Sequence, residues 1–498
     1  MATISPTRVQ AGRGVEVALL VVALVVGIYS YAMVGIGVEG SVPADVWQYG
    51  LGMAVLAVGA HLVVRWRAPH ADPVILPVVV ALNGIGLAMI YRIDLAYAAR
   101  GRPHGFADKQ LLWTAVSVVG ALLLLWLLRD HRKLRRYTYT AMVASLALLL
   151  SPMIPGIGQT INGAQIWVRV GPVGMQPAEL AKITLAVFFA GYLVTNRDTL
   201  ALAGRTVLGM KMPRVRDLGP ILLIWVVAMA VLVMQRDLGA ALLFFGLFVA
   251  MIYLATERIS WVVIGLGLFG VGAAVAARAF SHVGARFDGW LDAFNDEVFN
   301  RHPGGSGQLV RGLFGMASGG MFGTGWGQGR PDLVPYAESD FIVASLGEEL
   351  GLTGLTAILL LVAVLVQRGM RTAIGVRDGF GKLLAGGLSF LLVLQVFVVV
   401  GGVTRLIPLT GLATPFLAYG GSSLFANWLI VALLLRVSDD ARRPAPDVRP
   451  VLTPEAGTPV VVAGAATSRP VSASAASSAA VSSTADPPTE IVDGGADR

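Results

Sequence analysis

The sequence predicts an all-α protein that crosses a membrane about twelve times and carries one long folded loop outside the bilayer. The chain has 498 residues, of which 55% are apolar and 14% are charged, and its mean hydropathy is +0.72. Such a composition is typical of polytopic membrane proteins. Apolar runs of spanning length recur along the chain, and one polar, glycine-rich segment from 281 to 340 interrupts them.

The apolar runs define the expected spans, because a transmembrane helix needs about 20 mostly apolar residues. The runs that meet this requirement are 15–37, 47–66, 73–91, 111–128, 138–154, 177–195, 218–235, 238–255, 260–279, 341–367, 381–403 and 414–437. The first run is matched by the later ones and lacks a cleavage-site pattern. We therefore expect it to be a span and not a removed signal peptide.

Basic side chains predict the orientation of the spans. Arginine and lysine concentrate in alternate connections, near 65–67, 129–136, 205–216, 368–382 and 436–443. Because cytoplasmic loops carry the excess of basic residues, these connections and both termini are expected in the cytoplasm. The segments 155–176, 281–340 and 404–413 then face outward. Four basic residues depart from this rule in a predicted outer loop: Arg92, Arg100, Arg102 and Lys109.

The net charge, the lack of cysteine and the terminal segments exclude some functions and define the ends of the membrane region. The formal net charge of +8 is explained by orientation of the spans, so it implies no nucleic-acid partner. The absence of cysteine excludes disulfides, zinc–thiolate sites and a thiol nucleophile. Residues 1–14 form a short basic lead. Residues 439–498 are rich in Ala, Ser, Pro, Thr and Val without any aromatic residue, which predicts a disordered cytoplasmic tail.

The 281–340 segment combines acidic and aromatic side chains. Its carboxylates are Asp288, Asp292, Asp296, Glu297, Asp332, Glu338 and Asp340, and tryptophan, phenylalanine and tyrosine lie between them. Interleaved aromatic residues argue against disorder, and loops this long are usually functional when they are folded. The composition indicates an acidic loop on a membrane face, suited to chemistry on a lipid-borne substrate.

Two further clusters lie at predicted helix ends. Pro177 and Glu179 suit the first turn of a helix, and Glu179 shares a helix face with Lys182. Charges within a membrane helix are costly unless paired or hydrated, so this pair either contacts substrate or locks the helix to a neighbour. The polar hairpin QRDLG at 235–239 either holds a polar head group or caps two helix ends.

Two more clusters follow the long loop. Glu348 and Glu349 begin a predicted span and need partners, for which Arg286, Arg311 and Lys182 are candidates. The run from 407 to 423 is rich in Gly, Pro and Ser. Non-helical backbone at membrane depth requires burial in protein or a wet cavity, so this run is expected to form a cavity wall that includes Tyr419 and Ser422.

Taken in order, these motifs resemble the RodA/FtsW (SEDS) family of peptidoglycan polymerases over residues 73–437. The matching pieces are NGAQIW, QPAELAK, QRDLG, the acidic loop, SDFIVASLGEELG and IPLTGLATPFLAYGGSS. The family has ten spans, so the resemblance implies a core at 73–438 and an added helix pair at 15–66. Three positions depart from the family pattern: Glu297 replaces a proline, Gly305–Gln308 lacks a tyrosine, and Arg236 replaces the proline of QPD.

The resemblance implies inverting glycosyl transfer, in which the disaccharide of lipid II joins a growing glycan on undecaprenyl pyrophosphate. The essential loop aspartate of the family aligns with Asp296, the expected general base, with Asp292 as the backup. Lys182, positioned by Glu179, and Arg286 would hold phosphate oxygens. The other implied substrate residues are Trp167, Gln176, Asp237, Glu338 and Asp340. A divalent cation, Mg²⁺ or Mn²⁺, would have Glu338, Asp340 and Glu348 as ligands, although hydrogen-bonding roles are favoured for them.

The resemblance also implies a class B penicillin-binding protein as partner, a location in the bacterial cytoplasmic membrane, and a RodA-like elongation role slightly favoured over an FtsW-like division role. The alternative is a flippase that moves lipid II without chemistry, because charged residues within spans would serve it equally well. A scaffold that only organises other enzymes is a third reading, and it predicts tolerance of loop substitutions.

Overall fold

The computed structural model describes residues 13–161, 163–171, 173–196, 206–207, 210–211, 219–301 and 304–444. The chain divides into two units, Met1–Arg443 and Pro444–Arg498, and the features below belong to the first. Asn162, His302, Pro303, most of the basic lead and the tail from 445 onward lie outside the described residues.

The described chain is mainly helical. Its helices are α1 (Arg13–Glu39), α2 (Val46–Arg67), α3 (Ile75–Ala98), α4 (Phe106–Leu127), α5 (Thr138–Leu150), α6 (Pro177–Thr195), α7 (Gly219–Met234), α8 (Leu238–Thr256), α9 (Ile259–Ala279), α10 (Ser281–Leu291), α11 (Asp296–Asn300), α12 (Gly307–Gly319), α13 (Ile342–Gly375), α14 (Gly379–Val403) and α15 (Gly421–Arg442). Short 3₁₀ helices occupy His131–Tyr137, Ser151–Met153 and Pro331–Leu333. The predicted helical membrane architecture is confirmed.

Ten of the twelve predicted spans correspond to helices of spanning length. Among the described residues, ten helices are long and apolar enough to cross a membrane. The other two predicted spans, 138–154 and 218–235, correspond to α5 with 13 residues and α7 with 16. Both are shorter than the roughly 20 residues of a typical span, so the count of twelve stays a prediction.

A small antiparallel sheet is the main departure from an all-α fold. Strands β1 (Gly158–Ile161), β2 (Ala164–Val170) and β3 (Val173–Met175) form a meander in that order. Gly163 has a φ of +79° at the turn between β1 and β2, a conformation that glycine adopts without strain. The NGAQIW motif is therefore a hairpin. A second ladder pairs only β4 (Thr206–Val207) with β5 (Met210–Lys211).

The N-terminal helices pack closely on the rest of the bundle. A Cβ added at Gly84 of α3 would lie 3.0 Å from Gly27 Cα of α1, so the two backbones touch where the helices cross, as small residues allow in membranes. Tyr31 stacks between Tyr49 and Tyr91, with ring centroids 4.2 Å apart in both pairs. Helix α1 of the added pair is thus joined to α3 at Gly84 and Tyr91.

Helix α13 is broken, and a glycine-rich segment fills the break. Gly351 has φ +68° and ψ −173° within the helix, which interrupts the backbone hydrogen bonds. The amides of Leu352 and Thr353 instead donate to Gly320 O and Met321 O, both at 3.0 Å. In return, the Thr324 amide donates to Glu348 O at 3.0 Å. Segment 320–325 therefore satisfies the groups that the break exposes.

Arg92 corrects two expectations. Helix α3 extends to Ala98 instead of ending near 91, so Arg92 lies within a buried helix and not in a loop. Its Nε lies 2.6 Å from Glu349 Oε1, and the side chains are 6% and 0% exposed. The expected partners of Glu349, namely Arg286, Arg311 and Lys182, were wrong. The cation comes from α3, because this helix continues past Arg92 and carries its side chain into the interior.

Candidate active site

Several of the predicted site residues lie near one another where α6, the 235–237 turn, α10 and the irregular 404–420 segment meet. Pro177 is the first residue of α6, where its missing amide hydrogen costs nothing and its fixed φ favours the helix. Asp237 caps α8, since its Oδ1 accepts from the Ala240 amide at 2.9 Å. These local rules place Glu179, Lys182 and Asp237 at adjoining helix ends.

Lys182 is surrounded by oxygen atoms in the interior. Its Nζ lies 2.6 Å from Glu179 Oε2 and donates to Gln395 Oε1 at 3.0 Å and Asn427 Oδ1 at 3.1 Å. The residue is 2% exposed. An ammonium has three N–H donors, and three oxygens neighbour it here. Lys182 therefore ties α6 to α14 and α15 in this structure. A phosphate-binding role stays a prediction and requires one of these neighbours to be released.

Gln176 and Asp237 link the hairpin turn to the last helix. Gln176 Nε2 donates to Asp237 Oδ2 at 3.4 Å, and the Gln176 amide donates to Ser422 Oγ at 3.0 Å. The β1–β2 hairpin joins the same turn, because the Gln165 amide donates to Gln235 O at 3.2 Å. Trp167 lies on β2 opposite Gln159. The hairpin and the QRDLG turn therefore form one wall of the site.

Arg286 provides a second buried cation. Its Nη1 donates to Leu409 O at 2.7 Å, which fixes α10 to the 404–413 segment. Burial lowers the pKa of Arg286 from its ordinary value, while Asp237 and Asp340 oppose that shift. Burial also raises the pKa of Asp340 to about 6, and Glu338 adds to the effect. The site thus places a guanidinium among carboxylates, one of which titrates near neutrality.

Glu338 and Glu348 do not join Asp340 as a ligand set. Glu338 accepts from Tyr97 at 3.1 Å, and its carbonyl accepts from the Tyr419 amide at 2.7 Å. Glu348 Oε1 accepts from the Arg330 amide at 2.9 Å. Within the described residues, the one group of three close metal-ligating side chains is His131, Asp378 and Asp440, where Arg132 already pairs with both aspartates.

The two candidate bases lie on the surface, near the turn that follows α10. Asp292 and Asp296 are both exposed. Asp296 begins α11, which Asn295 caps by accepting from the Glu297 amide at 2.9 Å. No recorded contact of either carboxylate reaches Arg286 or Lys182 among the described residues. The structure therefore shows the candidate bases as accessible but separate from the buried charges.

Arg405 holds that turn in place, a role that no sequence motif indicates. Its Nε and Nη2 donate to Trp290 O and Leu291 O, both at 2.7 Å. Its guanidinium carbon lies 5.3 Å from the centroid of the Phe294 ring, and Trp290 Nε1 donates back to Arg405 O at 3.1 Å. One arginine thus joins the 404–413 segment to the turn that carries Asp292.

Three other residues at this site were not predicted from the sequence. Gln395 and Asn427 are amides within otherwise apolar helices, a signal for a polar function that could have been noticed. His282 begins α10, and burial together with Arg236 and Arg286 lowers its pKa. Its imidazole is therefore neutral at pH 7, and nothing in its local sequence distinguishes it.

Fold and site together define a class: a polytopic helical membrane protein with a buried charged site at one end and a folded acidic segment beside it. Residues 73–443 match the profile of the FtsW, RodA and SpoVE family of cell cycle proteins. The match covers well over half of the chain, so the protein belongs to this family. Helices α1 and α2 precede the matched region.

Named relatives agree with this assignment. The chain is 50% identical over 442 residues to the peptidoglycan glycosyltransferase RodA of Mycobacterium tuberculosis, covering 88% of this chain and 92% of the relative. It is 33% identical over 377 residues to the stage V sporulation protein E of Bacillus subtilis, covering 74% and 98%.

Solved structures show the same fold. A chain of a peptidoglycan synthase complex, described as coordinating polymerization and crosslinking, aligns with a TM-score of 0.58 at 26% identity, covering 75% of this chain and 99% of that one. The rod shape determining protein RodA of Thermus thermophilus aligns with a TM-score of 0.52 at 23% identity, covering 75% and 98%.

Proposed function

We propose that this chain is a peptidoglycan glycosyltransferase that joins lipid II disaccharides to a growing glycan on undecaprenyl pyrophosphate. The observation that carries the proposal is 50% identity to a named peptidoglycan glycosyltransferase over 88% of the chain. The buried charged site beside an exposed acidic turn is consistent with glycosyl transfer, which needs a base for the acceptor and positive charge for the leaving group.

Asp296 is the base in this proposal, with Asp292 as the alternative. The carboxylate takes the proton of the attacking sugar hydroxyl while the new glycosidic bond forms. The bond from the anomeric carbon to the diphosphate breaks on the opposite side, which inverts the configuration, and negative charge develops on the diphosphate. Arg286 is the cation best placed to stabilise that charge, because its planar fork suits phosphate oxygens.

Lys182 has a positioning role in the proposal. Its ammonium fixes Glu179 and the amides of Gln395 and Asn427, so it sets how α6, α14 and α15 meet beneath the site. Gln176, Asp237 and Trp167 line the adjoining wall. Glu338 and Asp340 complete the far side, next to Tyr419.

A divalent cation would serve to neutralise the diphosphate. The described residues offer Asp340 beside Arg286 but no close group of three ligands at this end of the molecule. In this proposal a Mg²⁺ or Mn²⁺ ion would bind mainly to the diphosphate.

Orientation and partner belong to the same proposal. The basic connections face the cytoplasm, and the 281–340 segment faces outward. A class B penicillin-binding protein supplies crosslinking, in line with the synthase complex to which one similar chain belongs. An elongation role is favoured, because the most similar of the relatives named above is a RodA.

A polymerisation assay tests this function against the alternative. Purified full-length protein, with its co-purified partner, would be incubated in detergent with labelled lipid II, and parallel liposomes would report movement of lipid II between leaflets. Glycan ladders from the wild-type protein support the glycosyltransferase. Transbilayer movement without any polymer would reject it and favour the flippase.

A further inference from the structure

Two exposed tryptophans on different helices flank one arginine at the basic end of the bundle. None of the three belongs to the site described above. Trp66, next to the end of α2, is 71% exposed, and Trp126, next to the end of α4, is 47% exposed. The guanidinium carbon of Arg67 lies 5.3 Å from the centroid of each indole ring. We call Trp66, Arg67 and Trp126 the Trp–Arg pocket.

A buried arginine fixes the shape of this pocket. Arg436 of α15 donates to Arg67 O at 2.6 Å and to Leu125 O at 2.7 Å, so it joins the carboxyl ends of α2 and α4. Arg67 itself donates to Trp126 O. Helix ends leave carbonyl groups without intrahelical partners, and these contacts satisfy several of them. The pocket is therefore held by the fold before any ligand arrives.

Positive charge predominates at the pocket. Arg65 and Arg129 flank it, and among the described residues no recorded ion pair involves either of them or Arg67. The Nε atoms of Arg65 and Arg67 are buried and lack a hydrogen-bond partner. The neighbouring Asp130 accepts from the Arg132 amide at 2.9 Å and, like Asp439, interacts with Arg436, but neither carboxylate forms an ion pair with Arg65, Arg67 or Arg129 among the described residues. Buried donors without partners indicate a missing acceptor.

Apolar side chains continue from the pocket toward the membrane interior. Leu62 precedes Trp66 by one helical turn and Leu123 precedes Trp126 by three residues, and both are exposed. The order along the helices is thus leucine, tryptophan and arginine. Aromatic rings concentrate at the level of lipid head groups, and basic pockets between helices bind anionic ones.

We propose that the Trp–Arg pocket binds the phosphate diester of an anionic phospholipid, with an acyl chain lying along Leu62 and Leu123. The unpaired arginines favour a head group with net negative charge over a zwitterionic one, whose ammonium would add positive charge. Because α2 lies outside the matched family region 73–443, half of this pocket comes from the added helix pair.

The test measures lipid binding by the full-length protein in detergent, using native mass spectrometry. The protein would be titrated with dioleoyl phosphatidylglycerol or dioleoyl phosphatidylcholine. Arg67→Gln and Trp126→Leu alter the pocket. Arg371→Gln is the matched control, because Arg371 is exposed at the end of the bundle where Arg368 lies 3.7 Å from Asp72.

We expect Arg67→Gln and Trp126→Leu to weaken phosphatidylglycerol binding by roughly fivefold or more, while Arg371→Gln and all phosphatidylcholine binding stay unchanged. Arg65→Gln, which breaks no recorded contact between helices, should weaken it by about twofold to fivefold. Wild-type affinity in Arg65→Gln and Trp126→Leu would overturn the proposal. So would an equal loss in Arg371→Gln, which indicates diffuse charge, or competition by millimolar inorganic phosphate, which indicates a free-anion site.

Discussion

The buried pair of Arg92 and Glu349 allows a quantitative prediction. Arg92 Nε lies 2.6 Å from Glu349 Oε1, and Arg92 Nη2 donates to Gly329 O at 2.6 Å. Glu349 Oε2 also accepts from the Gly327 amide at 2.9 Å. Replacing Arg92 by methionine keeps an unbranched apolar stem but removes the guanidinium, which leaves a buried carboxylate without its cation. Removing one partner of a buried pair costs about 3–5 kcal/mol.

The free energy of unfolding would be measured by titration with sodium dodecyl sulfate in mixed micelles. Arg92→Met should lower it by about 3–5 kcal/mol. The double variant Arg92→Met with Glu349→Gln should recover at least about 1–2 kcal/mol, because it no longer buries an unpaired charge. Arg100→Gln is the control: the Arg100 side chain is 44% exposed in its pair with Asp332, and Asp332 keeps Arg330 as a partner at 3.4 Å, so stability should change by about 0–1 kcal/mol.

Two results would refute this reasoning. If Arg92→Met were no more destabilising than Arg100→Gln, the buried pair would not hold the broken helix α13 to α3. If the double variant were less stable than Arg92→Met alone, the unpaired charge would not be the source of the cost.

Further predictions concern the site. Burial raises the pKa of Asp340 to about 6. The protonated Asp340 side chain therefore contributes stability below about pH 4, and this contribution is lost as the pH rises through 6. Asp340→Asn should flatten that part of a plot of unfolding midpoint against pH, and an unchanged plot would contradict the assignment. Arg405→Lys keeps the charge but loses the fork that holds Trp290 O and Leu291 O, so polymerisation should fall about tenfold or more with little change in unfolding midpoint; full activity would show that this clamp is dispensable. Lys182→Met leaves Glu179 buried without its cation and should cost about 3–5 kcal/mol of stability, whereas a neutral effect would show that this ion pair does not stabilise the fold.

The sequence predicted the helical membrane fold because twelve apolar runs are long and separated by polar connections. It also predicted the contact of Glu179 with Lys182, since their spacing of three residues is a local property of a helix. The capping role of Asp237 and the helix start at Pro177 follow from local rules in the same way.

The remaining features depend on contacts between distant segments. Arg92 and Glu349 are 257 residues apart in the sequence, and Arg405 and Trp290 are 115 residues apart. Hydrophobic periodicity gives no information about contacts at such sequence separations. The break in α13 at Gly351 was not predicted, because the predicted span 341–367 passes through GEELG without interruption. The NGAQIW motif forms a hairpin, and short strands at an interface carry too few residues to show an alternating pattern.

The proximity of several candidate site residues is seen in the structure, and their roles stay predictions. Contacts or electrostatic interactions link the candidates Gln176, Glu179, Lys182, Asp237, Arg286 and Asp340. The surroundings of Lys182 could not be foreseen, because Gln395 and Asn427 lie more than 200 positions away. The catalytic assignment of Asp296 rests on the family resemblance and stays a prediction.

Polymerisation of labelled lipid II by Asp296→Asn, compared with Asp292→Asn, tests the central claim most directly. Both aspartates are exposed and lie four residues apart, so the two variants are matched in charge and setting. We expect Asp296→Asn to lose about 10²–10⁴-fold in rate, as removal of a general base does, while Asp292→Asn still produces glycan ladders. Wild-type rates in Asp296→Asn would contradict the assignment, and a loss confined to Asp292→Asn would move the base to that residue.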